Sequence, residues 1–245
     1  MSVLETLLTD VPVGWRITDV YVGANWTIAL VRDTEGIQRA GVAATPSEIH
    51  PDARFQIGHF ALDEAADKVA RLLLSDDETE AALGLATLNA LNQPDESLLS
   101  TADAADWLSA HSAGRSVAVF GRFPFVEDEI RPFARKLWVF EQDPQAGEFG
   151  AADMSRILPQ AEIVAITSSS ILNHTIDSIL SHIKPDRIVV LLGPSTPLNA
   201  KLFGCGITAL FGVRVVDVRQ AVESVIAGEG FQKLRGLQRV GMFRL

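Results

Sequence analysis

The sequence predicts an α/β protein: a C-terminal Rossmann-like parallel-sheet domain, preceded by a smaller α+β domain of β-β-β-α-α order. Two observations carry this. After Gly114, short apolar runs without alternation recur at Ser116–Phe120, Leu137–Phe140, Ile163–Thr167 and Ile188–Leu192, with Val213–Val216 as a fifth. Such runs are strands covered on both faces, and the helix-like segments between them imply parallel strands joined by crossovers. Before residue 100 the pattern is different: three β-like runs, then two helical ones. The division expected is 1–100 and 101–245.

From the start, Ser2-Val3-Leu4-Glu5 has capping-box spacing and opens a short helix. Arg16–Val22, Trp26–Arg32 and Ile37–Ala43 read as an antiparallel meander, the last pair joined through the turn Asp33-Thr34-Glu35-Gly36. Leu62–Leu74 carries an apolar stripe at helical spacing. Ser75-Asp76-Asp77-Glu78 is a second capping box, and its helix ends near Pro94; Gly84 and Ala86 on it permit close packing. Gln93–Ala102 reads as a linker, and a helix over Asp103–His111 stops at Gly114. Further helices are expected at Glu127–Lys136, Ala151–Leu158, Ile171–Ile183, Leu198–Phe203 and Val218–Ala227. The basic tail after Gly230 is expected to be a solvated or packed segment.

Composition narrows the function. The 245 residues are 47% apolar and 21% charged, as in an ordinary globular protein, and the net charge is −10. Such a charge repels nucleic acid, whose binding needs many Lys and Arg contacts to phosphates. No run approaches the ~18 apolar residues that span a bilayer, and the start lacks the basic-then-apolar pattern of a secretory leader. A cytoplasmic protein is expected. The single cysteine, Cys205, fits a reducing compartment and cannot by itself build a thiolate-rich metal site.

Open parallel sheets bind ligands beyond the carboxyl ends of their strands. Those ends here read Gly121-Arg122-Phe123-Pro124-Phe125, Glu141-Gln142-Asp143-Pro144, Thr167-Ser168-Ser169-Ser170 and Gly193-Pro194-Ser195-Thr196-Pro197. Gly193 permits close backbone approach, and Ser195 or Thr196 could cap a helix with Pro197 in its first turn. That arrangement would cradle a carboxylate or phosphate, or be a plain turn. The first loop is no dinucleotide fingerprint: only Gly121 stands in place, and Phe123, Pro124 and Phe125 occupy glycine positions. Glu141, twenty residues after Gly121, stands where a ribose-binding acid would lie; a metal ligand, another polar contact or a solvated strand end are the other readings. Thr167–Ser170 with Asn173 and His174 gathers hydroxyls, an amide and an imidazole at one helix start. Asn173 is read as functional and His174 as a surface residue.

Among earlier residues, Gly23 reads as a hairpin turn and Trp26 as core. Asn25 and Thr27 could face a cleft, and Asn89 sits on an apolar helix, where a buried amide needs a partner. His50, Asp52 and His59 form a weak metal candidate without HExxH spacing. Trp107 and Met154 read as packing, and Cys205 as a small core residue. The sequence carries no GxSxG elbow, P-loop or kinase signature.

Several segments carry a resemblance: GANWT (Gly23–Thr27), LGLATLNAL (Leu83–Leu91), VAVFGRFPF (Val117–Phe125), VFEQDP (Val139–Pro144), ITSSSILNHT (Ile166–Thr175) and LLGPSTPL (Leu191–Leu198). In these the chain resembles the Putative heavy-metal chelation family, which joins an enolase N-terminal-like domain to a Rossmann-like one. The resemblance implies that the two domains form one cleft. Its matching positions place Asn25, Thr27, Asn89, Phe123, Pro124, Glu141, Thr167, Asn173, Ser195 and Thr196 near that cleft. Enolase chemistry is not implied, because the barrel that holds it is missing. With no Cys or His cluster, oxygen ligands or a metal already held in an organic chelate suit the cleft better than a soft bare ion.

The expected function is therefore binding or processing of a heavy-metal ion, a metal chelate or an anionic small molecule in an inter-domain cleft. Glu141 is the candidate metal ligand, for a divalent or heavy ion. The alternative is an enzyme using a nucleotide-type cofactor such as NAD or S-adenosylmethionine. The expected partner is a small molecule or metal complex, with no nucleic acid and no membrane, and a homo-oligomer is left open. All of these readings need the polar ends of neighbouring strands to converge on one pocket.

Overall fold

The computed structural model describes residues 1–46 and 62–244. His50, Asp52 and His59 therefore lie outside the described residues. The short helix α1 (Val3–Leu7) opens as expected: Glu5 N–H donates to Ser2 Oγ and Ser2 N–H donates to Glu5 Oε2. β1 (Arg16–Val22), β2 (Trp26–Arg32) and β3 (Gln38–Ala44) form an antiparallel three-stranded sheet in that order.

The helix expected from Leu62 begins only at α2 (Ala66–Ala70) and tightens into a 3₁₀ turn at Arg71–Leu74. The preceding residues turn back along β1, where Ala65 bridges to Arg16, Ile17 N–H donates to Glu64 O and Ala66 N–H to Trp15 O. Asp63 is left-handed at φ 63°. The next helix, α3 (Glu78–Leu91), is capped by Asp77, whose Oδ1 accepts from the N–H groups of Thr79 and Glu80. Ser75, the residue expected to cap it, instead donates its hydroxyl to Glu80 Oε2.

α3 lies so close to the small sheet that a Cβ on Gly41 would stand 2.2 Å from Ala90 N. One on Gly84 would stand 2.1 Å from Leu73 N. These glycines set the approach of the helix to both neighbours.

The second sheet has seven strands in the order β4-β10-β9-β8-β7-β5-β6. β5 (Ser116–Phe120), β6 (Lys136–Phe140), β7 (Ile163–Thr167), β8 (Ile188–Leu192) and β9 (Ala209–Val215) are parallel. Successive residues of β5 and β7 enter apolar clusters on opposite faces: Ala118 and Ile166 on one, Val119 and Ala165 on the other. That two-sided burial is why these runs lack alternation.

Two strands depart from expectation. The tail, expected to be a solvated or packed segment, supplies β10 (Leu237–Phe243), antiparallel to β9, and the supposed linker supplies β4 (Leu99–Ser100), antiparallel to β10. β9 begins at Ala209, four residues before the expected run.

Several expected helices are shorter. α4 (Ala104–Ser112) holds, with Asp103 as its cap. Glu127–Lys136 reduces to a single π-helical turn at Val126–Ile130, since Pro132 cannot continue a helix. Residues 151–160 form α5 (Met154–Ile157) between two 3₁₀ turns. The segment 169–181 splits into α6 (Ser169–Leu172) and α7 (Ile176–Ser181) around His174, which is left-handed at φ 56°. The segment after Pro197 is a 3₁₀ turn, Ala200–Cys205, capped by Asn199. α8 (Val218–Ile226) packs on the small sheet through Ala221 and Val225 against Ile28 and Val42.

The two sheets share one core. A single apolar cluster contains Leu83 and Leu85 of α3 together with Ala118, Ile166 and Leu210 of the large sheet. No helix of the described residues is long and apolar enough to cross a membrane.

Candidate functional site at the strand ends

The strand order β6-β5-β7-β8-β9 reverses direction between β5 and β7. In doubly wound sheets, ligands bind at such a switch point, outside the carboxyl ends. A cavity of about 330 Å³ lies there, and Gly121, Glu141, Thr167 and Asn173 all line it. Arg122, Met154 and Ser169 complete its polar and apolar sides.

Each side chain is held by its element. Glu141 follows β6, its N–H donating to Phe149 O at 3.0 Å, and its side chain is about one-fifth exposed. Among the described residues its carboxylate makes no hydrogen bond; Arg122 Nε stands 3.9 Å away. Asn173 closes α6, and its Oδ1 accepts from Thr175 Oγ1 at 2.7 Å. Thr167 Oγ1 and Ser169 Oγ are 3.4 Å apart, and Ser170 Oγ donates to Thr167 O at 2.7 Å. Gly121, at φ +104°, makes the turn out of β5 that a side chain would strain.

Arg122 is committed elsewhere. Its fork donates to both Glu148 oxygens, at 2.8 and 2.7 Å, and to Asp143 O at 3.1 Å. The guanidinium holds the Glu148 carboxyl well down, at about 2, helped by the Gln145 N–H. The same pairing raises the guanidinium's own pKa. Sequence reasoning passed over Arg122 although it stands in GRFPF, directly after β5. Glu148 carried no signal, because its partner lies 26 residues away.

The other predicted residues do not join this cavity, so the expectation of one convergent pocket is corrected. Phe123, Pro124 and Gly193 line a second cavity of about 250 Å³. Ser195 and Thr196 are buried where β3 meets the large sheet, and they cap no helix, so the expected anion cradle is not formed. Ser195 Oγ accepts from Ala44 N–H at 2.7 Å. Asn89 Nδ2 bridges Val42 O and Ser195 O at 2.9 and 3.1 Å. This amide therefore joins the two sheets. Asn89 Oδ1 and Thr196 Oγ1 are buried without a partner among the described residues, beside a void of about 20 Å³. Thr27 is fully buried on Thr45 Oγ1, and exposed Asn25 donates to Gly228 O.

His174, read as a surface residue, is half-buried and its Nε2 meets Leu73 O at 2.9 Å, tying α6 to the α2 region. Cys205 is half-buried at the opposite end, 3.7 Å from Thr6 Oγ1 of α1.

Nothing here fits a bare heavy-metal ion. Among the described residues no three His, Cys, Asp or Glu side chains gather in a way that could hold one. Glu141 is the one carboxylate lining the cavity, with the Arg122 guanidinium 3.9 Å from it, and soft metals prefer thiolate and imidazole.

The topology defines an α/β protein with a doubly wound sheet and a cavity at its switch point. The chain belongs to the family described as Putative heavy-metal chelation (DUF364), whose model matches residues 103–242; a second model of the same description (DUF4213) matches residues 5–92. It is 25% identical over 227 residues to an uncharacterized protein of Methanocaldococcus jannaschii, covering 88% of this chain and 85% of that one.

Two solved structures, both of DUF364 proteins of unknown function, share the fold. That from Desulfitobacterium hafniense has a TM-score of 0.85 at 23% identity, covering 99% of this chain and 98% of its own. That from Pyrococcus horikoshii has a TM-score of 0.79 at 20% identity, covering 98% and 97%.

Proposed function

We propose that the protein binds a metal carried inside a small organic chelate, in the cavity between β5, β6 and β7. One observation carries this reading: Glu141 is the single carboxylate lining the cavity, the one cation there, Arg122, is held by Glu148, and among the described residues no second acidic, imidazole or thiolate ligand lines it. A bare ion would need the protein to supply most of its coordination shell. A chelated ion brings most of that shell with it and needs one further oxygen. Glu141 would supply that oxygen, Thr167 and Ser169 would hydrogen-bond the chelator, and Met154 would pack on its apolar edge. A cavity of about 330 Å³ suits a compact chelate.

The test uses untagged full-length protein and two nickel complexes. Nitrilotriacetate leaves coordination positions on nickel open, whereas ethylenediaminetetraacetate fills them. The expected result is a rise in melting temperature with the first complex alone, abolished by Glu141→Gln. Equal stabilisation by nickel chloride, or an unchanged response in Glu141→Gln, would overturn the proposal. A shift with NAD or S-adenosylmethionine that Glu141→Gln removes would favour the nucleotide reading, which the occupied glycine positions at Phe123 and Pro124 disfavour.

A further inference from the structure

The second cavity lies at the carboxyl ends of β5 and β8 and beside the middle of β9; it shares no lining residue with the first, the loop after β5 giving Gly121 and Arg122 to one and Phe123, Pro124 and Phe125 to the other. Its wall is aromatic from several directions. Phe123 and Phe125 leave β5 as a tilted pair with centroids 5.6 Å apart, Phe211 comes from β9, and Phe231 comes from the turn before β10. Phe211 is buried, but the other three rings are only half-buried. Half-covered rings around a concavity of about 250 Å³ leave apolar area that a flat guest would cover.

The cavity has one cation. Arg239, on β10, lies over the Phe231 ring at 4.5 Å. Stacking orients its planar fork, and a fork so oriented matches a carboxylate through two parallel N–H bonds. Among the described residues the Arg239 fork donates no hydrogen bond. Its acidic neighbour, Asp103 Oδ2, is 4.0 Å away, and both side chains are about half exposed. Exposed contacts of that length contribute little, so the fork can turn to a ligand.

We infer that this cavity is a second binding site, for a flat aromatic carboxylate whose ring sits among Phe123, Phe211 and Phe231 and whose carboxylate meets Arg239. Neither the switch-point cavity nor Glu141 takes part.

The test titrates the full chain with 1-naphthoate and with its neutral counterpart, 1-naphthalenemethanol, by isothermal calorimetry. The expected result is that naphthoate binds at least tenfold more tightly than the alcohol. Arg239→Met should erase that difference, Leu192→Trp should fill the cavity and abolish both, and Glu141→Gln should change neither. Circular dichroism melts confirm that each variant is folded; if Leu192→Trp is not, Ala102→Trp, at a partly buried position lining the cavity on the Phe211 side, blocks it instead. Equal binding of acid and alcohol, or acid binding unaffected by both Arg239→Met and the blocking variant, would overturn the inference. Weakening by Glu141→Gln would place the acid in the first cavity and overturn it too.

Discussion

The hydroxyl oxygen of Ser195 accepts the backbone N–H of Ala44 at 2.7 Å, joining the loop after β8 to the last residue of β3. The bond explains why a Gly-Pro-Ser-Thr strand end that reads as an anion cradle is not one. The loop turns inward to receive the small sheet, and its polar groups are used in the join.

Ser195→Ala removes the acceptor of that N–H. A buried donor left unpaired costs about 1–3 kcal/mol. Urea denaturation should show a loss in that range with no change in slope.

Thr196→Val should behave oppositely. Its hydroxyl is buried without a partner among the described residues, so replacing it with a methyl removes a desolvated group at nearly constant volume. Stability should stay within about 0.5 kcal/mol or rise. A clear fall would mean that the hydroxyl is paired in solution.

Gly41→Ala should be far more damaging. The new methyl would meet backbone atoms of α3 at 2.2 and 2.4 Å, and a backbone cannot step aside as a side chain can. A loss of about 3 kcal/mol or more is expected, toward the upper end for overpacking. Gly204→Ala, with nothing within 4 Å, is the control and should melt close to the parent.

The Arg122–Glu148 pair predicts a pH window. The Glu148 carboxyl is held at about 2, below its ordinary 4.5. Its contribution is complete above about 4.5 and is lost as pH falls through about 2. Carboxyl NMR should find Glu148 titrating near the lower value, and Arg122→Gln should raise it toward the ordinary carboxylate range, the Gln145 N–H still holding it somewhat below.

Much of this was legible in the residues themselves. Local signals gave the right answer where the partner is near in sequence. Ser2 and Glu5 cap each other, Asp103 caps α4, and the apolar runs at Ser116–Phe120 and Ile163–Thr167 are buried on both faces.

Errors arose where distant residues decide. The basic tail after Gly230 reads only as a solvated or packed segment, because the strands that make Leu237–Phe243 a strand, β9 and β4, are distant in sequence. His174 looked exposed because the carbonyl it meets, Leu73 O, is 101 residues away. The candidate site divided for the same reason. Strand ends can be read one at a time, but which of them open onto a common space depends on strand order. That order places Glu141 and Asn173 around the β5–β7 switch point, and Phe123 and Gly193 elsewhere.

β10 follows every other described strand in the chain, yet it lies between β4 and β9. During translation the nascent protein can therefore assemble β5 to β8 while the slot beside β9 still stands open. Among the described strands β10 is made last, so the aromatic cavity acquires the Arg239 guanidinium after the strands around it. A chain lacking β10 would leave the backbone groups of β9 on that side, and both sides of β4, without a strand partner.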